Sequence, residues 1–220
     1  DVEWGEQGTE AAPTGGEVKL LSVVEGGTTL KVGASQVNLD RLTINGDKPL
    51  TITLNGSNGS NKLTATTTTI STDTTVEAGA ASLGKVTIAR GKTLTVGNDY
   101  FSNDDKISDG SKLLGPGSIA LNLGAKNALT LHGNGADTFS GNVNVLSGNL
   151  TITGGGSSGF LTGRTVNVMN GATVTIAGDN ATGHTTNNPA NSILHVQDGG
   201  TVNFTSRNSF KSTLKLTGGT

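Results

Sequence analysis

The chain has 220 residues, a net charge of −2, 15% charged residues, 32% hydrophobic residues, 3% aromatic residues, 34 glycines and no cysteine. So few large side chains make a thin supply for a round core, and the near-neutral balance suggests neither a nucleic-acid footprint nor an anionic-membrane patch. Disulfides, thiolate catalysis and Cys-ligated zinc are excluded, and no run of about 18 apolar residues is present to cross a membrane as a helix.

In chain order, residues 1–16 are polar, carry Pro13 and paired glycines, and read as a flexible lead. Trp4 within it either docks on the first folded unit or stays unattached. The acidic start (Asp1, Glu3, Glu6, Glu10) reads as a processed N-terminus. Residues 17–220 read as one domain of short strands. They are expected at 18–24, 28–32, 38–44 and 50–54, followed by a turn cluster (NGSNGSN). The threonine-dense stretch 62–77 (KLTATTTTISTDTTVE) has strand propensity but few apolar residues. It reads as the exposed face of polar coils, with an O-glycosylated tract as the competing reading. Strands resume at 83–88 and 93–96, and a Gly-rich loop at 97–111 carries the adjacent aromatics Tyr100 and Phe101. Further strands are expected at 118–123, 128–131, 143–145, 150–152, 165–168 and 173–176. After a second loop at 177–191 come 192–196, 201–204 and 213–216. No segment has helical periodicity.

One motif recurs. In 166–176 (VNVMNGATVTI) two alternating apolar residues meet a glycine corner, a threonine and two more alternating apolar residues. The stretches 86–96 and 194–204 repeat it in register, 143–152 one residue shorter and 21–32 one residue longer. A hairpin with Asn170-Gly171 as its turn would set Val168 opposite Thr173 and Asn167 opposite Val174. The valines would then point to opposite faces of one sheet, because the side-chain period is 2. Only the shorter copy suits a two-residue hairpin. The alternative is that strands flanking the glycine lie on successive sides of a coil, each pairing with its equivalent in the next coil. That predicts an all-β fold, a parallel β-helix rather than a sandwich of hairpins. The step from Gly148 to Gly171 is 23 residues and from Gly171 to Gly199 is 28, and the longer intervals between Gly26, Gly91 and Gly148 read as two or three coils each. At about 24 residues per coil there are roughly nine coils in a rod on the order of 40 Å long. No capping helix closes either end, so the chain is expected to be a segment of a longer repeat array.

Residues 114–152 (LGPGSIALNLGAKNALTLHGNGADTFSGNVNVLSGNLTI) resemble the passenger-associated repeat of bacterial autotransporters. Leu129-Thr130-Leu131 stand at its LTL-type strand, Gly135-Ala136-Asp137-Thr138-Phe139-Ser140-Gly141 at its G-A-N-T-Y-S-G-like corner, and Val145, Gly148 and Leu150 at its closing strand pair. Asp137, Phe139, Val143 and Asn144 are mild departures, and the match covers 39 of 220 residues. The resemblance implies a right-handed parallel β-helix secreted from a Gram-negative bacterium through an outer-membrane barrel and displayed on its surface. The barrel is not within this sequence, and membrane attachment would come only through it. The implied role is non-enzymatic: adhesion to a host-cell glycan or protein, or homotypic self-association, without nucleic acid. A polysaccharide-acting β-helix enzyme and a purely structural stalk are the alternatives.

Candidate chemistry is sparse. His132–Ser140 also fits one calcium-binding nonapeptide, but such sites need consecutive copies whose carboxylates share an ion. Asp99, Asp104, Asp105 and Asp109 share the loop of Tyr100 and Phe101 but lack EF-hand spacing, so a solvated acidic loop is the simpler account. His132, His184 and His195 are too scattered for metal-ligand spacing, and His195 sits at an outward strand position. No G-x-S-x-G elbow is present. The expected binding residues are Tyr100, Phe101, Asp104 and Asp105, where the aromatics either stack on a sugar or partner or fold back over the coil end. Asn and Thr ladders on the outer faces are the other candidate surface. No cofactor and no metal are expected.

Overall fold

The computed structural model describes residues 2–4, 17–22, 28–32, 37–54, 63–77, 81–97, 113–124, 128–132, 139–153, 163–177, 192–205 and 212–220. Among them every regular element is a β-strand and every strand–strand pairing is parallel. The long wall, A, stacks β1 (Val2–Trp4), β3 (Thr28–Val32), β5 (Leu50–Leu54), β7 (Thr74–Val76), β10 (Thr93–Gly97), β12 (Ser118–Asn122), the first part of β14 (Val143–Thr153), β15 (Thr165–Val168), β17 (Ile193–Gln197) and β19 (Thr213–Thr217). Wall B stacks β2 (Glu17–Ser22), β4 (Val37–Gly46), β6 (Leu63–Ile70), β9 (Lys85–Ile88) and β11 (Leu113–Leu114). Wall C stacks β13 (Ala128–His132), the second part of β14, β16 (Ala172–Ile176) and β18 (Thr201–Phe204). In the first half of the chain its place in the coil is held by 37–39, 63–65 and β8 (Ala81–Ser82).

The strands flanking a glycine bend lie on separate walls. Val168 pairs with Val145 and Val196, whereas Val174 pairs with Leu150 and Val202, so the two strands beside Gly171 belong to different walls. Even the shortest motif copy is not a hairpin. It is the single strand β14, bent at Gly148, whose two parts pair with different neighbours.

Two expectations are corrected. The motif copies do not all mark the same corner: Gly91 joins wall B to wall A, while Gly148, Gly171 and Gly199 join wall A to wall C. Intervals measured from one kind of corner to the other are therefore not whole coils. The roughly nine equal coils also fail as complete turns. Wall B is one unbroken stack for only five rungs, so the solenoid closed on both sheets amounts to about five turns. Beyond β11, the described residues of wall B are single positions bonded rung to rung: the Gly115–Phe139 bridge, then Arg164 and Ser192. The lead also contains structure, since β1 pairs with β3.

The core is a set of stacked columns. Leu30, Ile52, Val76, Val96, Leu121, Val145, Val168 and Val196 form one continuous inward column along wall A, all buried. It continues to Leu216 on β19, which has a rung on one side only and is 55% exposed. The threonine-dense stretch is not simply an outer face. Thr68, Thr72 and Thr74 are buried, and each hydroxyl donates to a carbonyl, of Leu83, Lys48 and Thr72 respectively, at 2.8, 2.9 and 3.0 Å. Those bonds remove most of the cost of placing a hydroxyl inside.

Gly148 and Gly171 turn the same corner at φ of 78° and 77°, a region costly for side-chain-bearing residues. A Cβ at Gly148 would also run into the Gly124 carbonyl oxygen and Leu123, whereas one at Gly171 would meet open space. Gly171→Ala is expected to cost about 1–2 kcal/mol, and Gly148→Ala at least about 1 kcal/mol more. Denaturant unfolding of the two variants beside the parent measures the difference, and equal losses would contradict the close packing at Gly148.

Candidate functional site

Inward alternation on wall A dictates an equally regular outer face. The residues between the core columns fall into register from rung to rung. They run Thr29, Thr51, Thr75, Thr95, Ala120, Asn144, Asn167, His195 and Lys215. From Thr29 to His195 this ladder carries no carboxylate and no lysine or arginine. Most members are half-buried by their neighbours. Ala120, too short to reach past Thr95 and Asn144, is 5% exposed.

Hydrogen bonds tie members together along the ladder. Asn167 Nδ2 donates to Asn144 Oδ1 at 2.7 Å. His195, outward as its position in the alternation requires, has Nε2 2.9 Å from the Thr217 hydroxyl on the next rung. One flanking column runs from Pro49 through Asp73 and Thr93, where Asp73 Oδ1 accepts the Thr93 backbone N–H at 2.8 Å. It continues through Ser118, Asn142, Thr165 and Ile193. At the wall A–C corner the register slips between Leu121 and Asn122. There the Ser147 hydroxyl donates to Asn122 Oδ1 at 2.5 Å and accepts from the Gly124 N–H at 3.1 Å. Such a surface offers donors and acceptors about every 4.8 Å along the rod, with almost no fixed charge.

The expected binding residues Tyr100, Phe101, Asp104 and Asp105 lie outside the described residues, as do Asp99, Asp109 and His184. Residues 133–138 of the calcium-like nonapeptide lie outside them too, and His132 is placed only as the last residue of β13. The structure therefore brings together the ladder residues and does not place the loop residues. Among the described residues no cluster of three His, Cys, Asp or Glu side chains is positioned to hold a metal ion.

Sequence reasoning passed over Arg164. It is 5% exposed, its Nε and Nη2 donate to the Phe139 carbonyl at 2.9 and 2.7 Å, and its guanidinium carbon lies 5.4 Å from the Phe139 ring centre. The signal was present in the alternation, because Arg164 shares parity with the inward Val166 and Val168, as Ser192 does with Leu194 and Val196. Among the described residues, these two side chains and Phe139 fill the wall B side of the later coils.

Comparison of the chain with protein-family models, with curated proteins and with solved structures gave no match.

Arg164→Ala removes two charge-assisted donors from a buried carbonyl and empties its volume, so it is expected to destabilise by about 3–5 kcal/mol. Phe139→Leu keeps the carbonyl bonds and loses mainly the ring contact, for about 1–2 kcal/mol. Guanidinium unfolding ranks the two, and the reverse order would show that the ring rather than the carbonyl anchors Arg164.

Proposed function

We propose that this chain is part of a non-enzymatic stalk displayed on a Gram-negative bacterial surface, attaching the cell to host surfaces or to sister cells. The observation that carries this reading is the outer ladder of wall A. It is a rigid, register-locked, nearly uncharged row of Thr, Asn and His, suited to many weak hydrogen bonds over an extended contact. The likeness of 114–152 to the autotransporter passenger repeat supplies the surface location, with anchoring by a membrane barrel outside these residues. The coil is proposed to be right-handed, in keeping with the strong preference of parallel strand–crossover–strand connections. The loop bearing Tyr100, Phe101, Asp104 and Asp105 is proposed as an accessory contact for a glycan or protein ligand.

Labelled chain incubated with animal epithelial cells and with a glycan array tests attachment directly. Saturable binding, competed by excess unlabelled chain, is the expected result. A polysaccharide panel assayed for reducing-end release, with and without calcium, is expected to stay at the buffer level. Release would transfer the chain to the polysaccharide-acting enzymes, and absence of both binding and release would leave only a structural stalk.

A further inference from the structure

The order of residues along the ladder carries more than its chemistry. Numbered outward from Ala120, one direction reads Thr95, Thr75, Thr51 and Thr29, and the other reads Asn144, Asn167, His195 and Lys215. One arm is all threonine; the other carries, rung for rung, a stronger N–H donor. We propose that the outer face of wall A is self-complementary and binds a second copy of this chain. The two copies are antiparallel, related by a two-fold axis that runs along the strand direction through Ala120. The proposal deepens the attachment reading and rests on it for its biological setting.

Under that symmetry each rung on one side of Ala120 faces the rung equally far on the other side in the second copy. Thr95 meets Asn144, Thr75 meets Asn167, Thr51 meets His195 and Thr29 meets Lys215, and every pair is made twice, as an isologous interface requires. A hydroxyl faces an amide, an imidazole or an ammonium each time, so each contact has both donor and acceptor. The flanking column obeys the same rule. Thr93 meets Asn142, Asp73 meets Thr165, and the exposed Pro49 meets Ile193, which is 36% exposed. Of the charged residues on this face, Lys31 falls opposite Thr217, Glu77 opposite Met169 and Lys215 opposite Thr29, so no like charges meet.

The parallel arrangement lacks this property. It would set Lys215 against Lys215 and, on the Thr75 rung, Asp73 against Glu77, and like charges brought together at an interface are costly. Ala120 at the axis is the smallest member of the ladder, and the dent it leaves lets Thr95 and Asn144 of the two copies interdigitate. Sheets twist, so two such faces touch best at the centre, where the Thr–Asn pairs lie. Nine rungs at about 4.8 Å, three columns wide, offer about 600 Å² per copy, which is at the lower edge of specific interfaces.

The test is sedimentation of the purified full chain across a concentration series, with two double variants at outward positions whose folding is checked by circular dichroism and melting temperature. Thr95→Lys/Asn144→Lys places lysine against lysine at both central pairs and is expected to weaken association at least about tenfold. Thr95→Glu/Asn144→Lys places opposite charges there and is expected to keep the dimer and make it salt-sensitive. If the lysine pair does not fold, mixing the single variants Thr95→Glu and Asn144→Lys reads the same complementarity, with hetero-association expected to exceed that of either variant alone. A parent chain that stays monomeric at about 100 μM, or double variants that associate equally, would overturn the proposal. Binding to cells is read separately, so failure here leaves attachment to host surfaces standing, and failure there leaves this interface standing.

Discussion

Among the described residues, strand N–H and C=O groups bond to the coil above and the coil below, not to the strand joined through the glycine bend. Everything else follows from that. Because each strand must present both edges to partners of the same direction, the inward parity is copied from coil to coil, and apolar columns form without any large side chain. A chain with 3% aromatics thereby assembles a core from Val, Leu and Ile stacked on their own kind. The outer columns inherit the same register, so the Thr–Asn ladder is a by-product of the core.

Within that constraint the coils are free to differ where strands are not required. In the first half wall B carries strands and the corner to wall A is a short turn, such as Arg90-Gly91. In the second half wall C carries them, and the described residues on the wall B side are single positions. There Phe139 and Arg164 fill volume and satisfy a backbone carbonyl, with the guanidinium bridging to a carbonyl 25 residues earlier and lying over the ring. Burying an arginine is made tolerable by the two donors bonded to that carbonyl and by the π-face that lies against the guanidinium.

The architecture was legible because a register argument is parity arithmetic. Val168 and Val174 cannot share one face of a hairpin, and that alone directs them to separate walls. Which corner each glycine turns was not legible, since B-to-A and A-to-C bends use the same local pattern and only the partner strands distinguish them. Arg164, Ser192 and Thr74 stand on inward parity, yet polarity alone assigns them to the surface. Their burial depends on partners that polarity does not reveal: the Phe139 carbonyl 25 residues before Arg164, the Gly163 N–H 29 residues before Ser192, and the Thr72 carbonyl beside Thr74. Of the candidate surfaces, the outer ladders followed from alternation, whereas the aromatic and acidic loop at 97–111 has no periodicity from which a position could be argued.

Distances between spin labels along the ladder test the stacked-coil account most directly. Cysteine introduced at Thr51 and, in separate proteins, at Asn144, Asn167, His195 or Lys215 reports four to seven rung spacings by pulsed dipolar spectroscopy in samples diluted with unlabelled chain. Parallel stacking predicts separations that grow linearly, by about 4.8 Å per rung, from about 19 to about 34 Å. Distances that fail to increase in that order, as antiparallel ribbons folded back on one another would give, would contradict it.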